Sequence, residues 1–111
     1  ARTLLHICGD SSKVLDLYAE TGADVIEVDH KVDLALARRI VGVRACVIGN
    51  VDPVTVLLQG TPEQVRAASD ACLDAGRGGG YILGSGCVVP RITPLENLRA
   101  MVEAARRSGP S

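Results

Sequence analysis

The chain has no phenylalanine, no tryptophan and only two tyrosines. Its core must therefore come from Val, Leu, Ile and Ala, and 111 residues of this kind suit one thin-cored domain. No apolar run approaches the roughly 20 residues that span a bilayer, which excludes a membrane-spanning helix. There is no basic run and the formal net charge is -1, so neither nucleic acid nor a membrane surface is an expected partner. The first residues carry no charged-then-apolar signal pattern, and the expected location is cytoplasmic. In that reducing compartment the four cysteines are not expected to form a disulfide framework.

What is present alternates. Thr3 to Ile7, Asp24 to Val28, Ala45 to Gly49 and Tyr81 to Leu83 read as short strands covered on both faces. Helical patterns follow each of them. The first is expected over Lys13 to Glu20, capped by Ser11 or Ser12, with Val14, Leu17 and Tyr18 as its apolar stripe. The second covers Leu34 to Val41 between an Asp33 cap and a Gly42 stop, with Leu34, Ala37, Ile40 and Val41 facing inward. The third runs from Pro62 to about Ala75, because Thr61 and Gln64 make a capping box around a first-turn proline. Thr93-Pro94-Leu95-Glu96 repeats that start for a fourth, whose stripe is Leu95, Leu98, Met101, Val102 and Ala105. Val54 to Leu58 predicts one further helical turn.

The order βαβαβαβα implies an α/β fold with parallel strands and right-handed crossovers. Helices on one face alone would leave an apolar sheet face open. Either the helices divide between both faces of a small doubly wound sheet, or the four units are half of an eight-stranded barrel. Polar or glycine-rich residues close all four strands, as His6-Ile7-Cys8, Asp29-His30, Asn50-Val51-Asp52 and Ser85-Gly86-Cys87. Chemistry drawn from every strand end suits a barrel mouth better than a single crevice.

His6 and Cys8, two apart on a strand, point to one face. With a glycine-flanked Cys87 at another strand end they make an imidazole and two sulfurs, the donor set that zinc takes with a fourth position open. Asp29 reads equally as a weaker fourth ligand or as a solvated carboxylate beside Lys31. Cys46 and Cys72 lie in apolar and alanine-rich surroundings and read as small core residues. Asn50 and Asp52 are candidates to line the mouth and orient substrate, although Asp52-Pro53 is also an ordinary turn signal. Gly76-Arg77-Gly78-Gly79-Gly80 precedes a strand and opens no helix, so it reads as a turn and not as a phosphate loop.

His6-Ile7-Cys8-Gly9, Val28-Asp29-His30-Lys31-Val32-Asp33, Gly49-Asn50-Val51-Asp52-Pro53 and Gly86-Cys87-x-x-Pro90 followed by Thr93-Pro94-Leu95-Glu96-Asn97 resemble, in order, the uroporphyrinogen decarboxylase superfamily. They are most similar to its cobamide-dependent thiol methyltransferases. The resemblance implies that residues 1–111 are the C-terminal half of a TIM (β/α)8 barrel, four βα units of a domain about three times as long. It implies zinc on His6, Cys8 and Cys87, with Asp29 at the position of a further acidic ligand. It also implies a methylated corrinoid (methylcobamide), carried by a corrinoid protein, as methyl donor to a small thiol substrate. The tetrapyrrole decarboxylases proper differ, with a histidine in place of Cys87, no His-x-Cys pair, and catalytic residues in the other half of the barrel. A third reading is a non-catalytic half-barrel that closes its open face by forming a homodimer.

Overall fold

The computed structural model describes residues 2–6, 9, 12–42, 44–76 and 80–108. Among them the elements alternate as expected: β1 (Leu4–His6), α1 (Leu15–Glu20), β2 (Val25–Glu27), α2 (Leu34–Val41), β3 (Cys46–Val51), α3 (Pro62–Ala75), β4 (Tyr81–Ser85) and α4 (Leu95–Ser108). A 3-10 turn at Ser12–Val14 precedes α1, and a wide π-type turn at Pro53–Leu58 follows β3. Its width is visible in the amides of Leu57 and Gln59, which reach back five residues to the carbonyls of Asp52 and Val54. No helix among the described residues is long and apolar enough to cross a membrane.

The local chemistry of two helices is as the sequence predicts. The Asp33 carboxylate accepts from the amides of Ala35 and Leu36, and Gly42, at φ 61°, ends α2. At α3 the Thr61 hydroxyl accepts from the Gln64 amide while the Gln64 side chain accepts from the Thr61 amide. The other two differ. The 3-10 turn shifts the phase of α1, so that Leu15 and Ala19 face the core and Leu17 is 59% exposed. In α4 the buried residues are Asn97, Ala100 and Ala104, with Leu98 and Met101 partly covered, while Leu95 and Val102 form a second, exposed stripe. The Thr93 hydroxyl donates to the Pro90 carbonyl at 2.7 Å, so the loop before α4 is tied to itself.

All three strand pairs are parallel and the order is β1-β2-β3-β4. That order decides between the two architectures. Right-handed crossovers that always step the same way leave every helix on one face, whereas a doubly wound sheet reverses the step to cover both. The helices pack accordingly, α1 on α2, α2 on α3 and α3 on α4. The arrangement is four βα units of a (β/α)8 barrel.

Register separates the two faces of the sheet. Leu5, Ile26, Val47 and Tyr81 lie side by side on the four strands; the last three are buried, packed in the core with Leu15 and Val41. The next row along is His6, Glu27, Ile48 and Ile82, which by the strand alternation points away from the helices. Ile82 in that row is 48% exposed.

Candidate functional site at the strand ends

The exits of β1, β2, β3 and β4 are joined by polar contacts that cross from one strand end to the next. Asp29, just past β2, is 3% exposed. One of its oxygens accepts from the Gly9 amide at 2.9 Å and the other from the Lys31 amide at 3.0 Å. Burial pushes this carboxyl up, but the two amides and the positive charges of His30 and Lys31 outweigh it and hold Asp29 below its ordinary value. The Gly9 bond sets the carboxylate beside the turn that leaves β1.

His30 lies between two carboxylates. Its Nδ1 is 3.1 Å from Asp29 Oδ1, close but poorly aligned for a hydrogen bond, and its Nε2 is 3.7 Å from Asp52 Oδ2. Asp52 also caps the π-type turn, accepting from the amides of Val54 and Thr55. Burial raises its carboxyl, and Thr55, Val54 and His30 together bring it below the ordinary value.

The fourth strand end arrives over His30. An ideal Cβ on Gly86 would fall 2.3 Å from the His30 backbone nitrogen, so only glycine lets the chain pass there. The Gly86 amide donates to the Val51 carbonyl at 2.7 Å, and the Ser85 hydroxyl donates to the Cys87 carbonyl at 2.7 Å. Cys87, half-buried, therefore follows the β4 exit directly above the exit of β2.

Two asparagines hold this edge from below. The Asn50 amide nitrogen donates to the carbonyls of Asp29 and Val32, and its oxygen accepts from the Cys72 thiol at 3.6 Å. Asn97, 1% exposed, donates from α4 to the carbonyls of Leu57 and Gly60 at 2.8 and 2.9 Å. The Tyr81 hydroxyl donates to the Gly49 carbonyl. Burial raises the Cys72 thiol, and burial and Cys72 together raise the Tyr81 hydroxyl.

Among the expected site residues, Asp29, Asn50 and Asp52 stand at this edge, and Cys87 reaches it through Gly86. Cys8 lies outside the described residues. His6 ends β1 with Nδ1 3.3 Å from Glu27 Oε1. Among the described residues no three His, Cys, Asp or Glu side chains form a group able to hold a metal ion. The donor types of His6, Cys8 and Cys87 nonetheless suit zinc, and the Asp29 carboxylate holds the amide of Gly9 at the β2 exit, over which Gly86 carries the β4 exit. Asn50 and Asp52 have polar atoms committed to backbone, Asn50 to the β2 exit and Asp52 to its own turn.

Three residues of the site escaped the sequence reading. His30 and Asn97 stood only within longer motifs, because Asp52 and the carbonyls of Leu57 and Gly60, which they meet, lie elsewhere in the sequence. Glu27 was legible in principle, as a carboxylate at the last pleat of β2 in register with His6.

The sequence profile described as uroporphyrinogen decarboxylase (URO-D) matches residues 1–108. The chain belongs to the uroporphyrinogen decarboxylase family. Within that family it is 47% identical over 104 residues to a methylcobamide:CoM methyltransferase of Methanosarcina mazei, covering 94% of this chain and 30% of that protein. It is 34% identical over 104 residues to a uroporphyrinogen decarboxylase of Coxiella burnetii, covering 93% of the chain and 28% of the relative. A solved structure of a methyltransferase from Methanosarcina mazei superposes with a TM-score of 0.89 at 31% identity, over 97% of this chain and 32% of that one. This member of the uroporphyrinogen decarboxylase family thus spans about 30% of the length of the relatives it matches.

Proposed function

We propose that these four βα units are the zinc-holding part of a cytoplasmic methyltransferase that moves a methyl group from a methylated corrinoid, on a corrinoid protein, to a small thiol. The observation that carries this reading is the Asp29–Gly9 bond. It ties the β2 exit to Gly9, which follows Cys8 in the sequence, while the Gly86 contact carries the β4 exit over the same place. The 47% identical relative, named a methylcobamide:CoM methyltransferase, supports the same class of reaction.

In this reading His6, Cys8 and Cys87 hold the ion, with Asp29 either a further donor or the anchor of the Gly9 turn. Bound zinc would supply the means to keep a substrate thiol as thiolate near neutral pH. The chain's own residues set the stage. Asp29 and Asn50 fix the β1 and β2 exits, and Gly86 brings β4 against them. The corrinoid would supply the electrophilic methyl group, with cobalt as the leaving group that keeps the electron pair, and His6, Cys8 and Cys87 would hold the zinc that presents the thiolate to it. Asn50 and Asp52 shape the wall that faces the substrate.

Metal analysis of the purified chain and of Cys87→Ser tests this. We expect about one zinc per wild-type chain and a marked loss in the variant. Wild-type protein that retains no zinc after purification in its presence would instead favour a decarboxylase-type role, the activity named for the 34% identical relative.

The sheet face that the helices do not cover favours a second reading, a half-barrel that a second copy of the chain would cover, completing eight strands.

A further inference from the structure

His6 and Glu27 are directly opposed in the β1–β2 register, on the face of the sheet that the helices do not cover. Their side chains are 34% and 25% exposed, and His6 Nδ1 is 3.3 Å from Glu27 Oε1. The rest of that row is Ile48 and Ile82. A glutamate on an otherwise apolar stretch needs a partner to offset its desolvation, and the register offers His6 on one side and isoleucine on the other. The contact is set by strand pairing, so it does not depend on a mobile surface side chain finding its mate.

We infer that Glu27 is the positioning residue of the His6 imidazole. Its carboxylate accepts the Nδ1 proton, which fixes the tautomer with the lone pair on Nε2 and stops the ring from turning about its Cβ–Cγ bond. A histidine held this way presents one defined nitrogen to a metal, and a carboxylate on its other nitrogen makes it a better donor. Glu27 itself is not a ligand in this arrangement. The inference rests on the proposed zinc reading for its purpose, but the tautomer it requires exists in the metal-free chain.

The sequence contains two histidines, so ¹⁵N correlation spectra of the rings are assignable with a His30→Asn variant. In metal-free protein, above the pH at which imidazole titrates, we expect His6 to carry its proton on Nδ1. In Glu27→Gln, where the acceptor is weakened, the proton moves to Nε2, and Glu27→Asp keeps part of the wild-type pattern. Zinc affinity should fall about 10- to 100-fold in Glu27→Gln. The ligand-field spectrum of the cobalt-substituted variant should keep the wild-type shape, because no first-sphere donor has been lost. A wild-type His6 protonated on Nε2 would overturn the inference whether or not zinc binds. So would an unchanged zinc affinity in Glu27→Gln, or a cobalt spectrum showing a changed coordination number. If neither protein binds zinc the methyltransferase reading fails, and the tautomer alone decides the role of Glu27.

Discussion

Asp29 has each oxygen on a different backbone amide, one two residues ahead and one on the neighbouring strand exit. Replacing it with Asn keeps the shape but leaves one acceptor for two donors. A buried donor left without its acceptor costs about 1–3 kcal/mol, and Asp29→Asn should lose that much stability in urea denaturation. The pH dependence has a defined sign. The folded carboxyl lies below the ordinary value of 3.8, so its contribution is fully present above that pH and is lost as pH falls through the folded value. Asp52 is lowered in the same direction and adds to the same acid limb. Wild-type stability measured against pH should therefore decline below about pH 4, and the decline should be shallower in Asp29→Asn. Thiol chemistry offers a second check at this scale. Burial raises the Cys72 thiol above its ordinary 9.0, and its hydrogen goes to Asn50. In native protein at neutral pH, Cys72 should resist alkylation until denaturant is added, as judged by mass spectrometry of labelled peptides.

At the scale of elements, the β4 exit depends on the missing side chain of Gly86. A methyl group there meets the backbone of His30, which cannot move without displacing Asp29 and Asp52. Gly86→Ala should cost about 1–3 kcal/mol by overpacking and should impair zinc retention more than a surface mutation of equal cost. Thermal unfolding and metal analysis on the same samples separate the two effects. The elements differ in how far they could be read in advance. Asp33, Gly42, Thr61 and Gln64 act within a few residues of themselves, so their sequence patterns predict α2 and α3 closely. The inward face of α1 differs from the expected stripe because the 3-10 turn before it alters the helical phase, and no residue there announces the change. The second stripe of α4 is exposed where the spacing predicts core, because apolar spacing alone does not say which flank has a neighbour. At the site, the soft donors were legible as residue types. The carboxylate–amide bond from Asp29 to Gly9 and the passage of Gly86 over His30 were not, since both join segments far apart in sequence.

For the whole molecule, the sheet face that the helices leave uncovered is the deciding feature. The ion pair of Arg66 with Glu103 joins α3 to α4, and Leu95, Leu98 and Val102 line a groove on α4 beside Glu103. On α1, Asp16 pairs with Arg44, just past α2, and Leu17 is exposed. In a dimer with its twofold axis along the strands, β4 of each copy would meet β1 of the other in parallel, and α4 would pack on the partner's α1. Light scattering on the chain at micromolar concentration should give twice 11.6 kDa, with a melting temperature that rises with concentration. Val102→Asp alters a half-exposed position and should yield folded monomer, with an unchanged helical circular dichroism signal; adding Leu17→Lys should restore the dimer. A helical wild-type monomer, or a dimer indifferent to Val102→Asp, would mean that the open face and edges are not closed by a second copy.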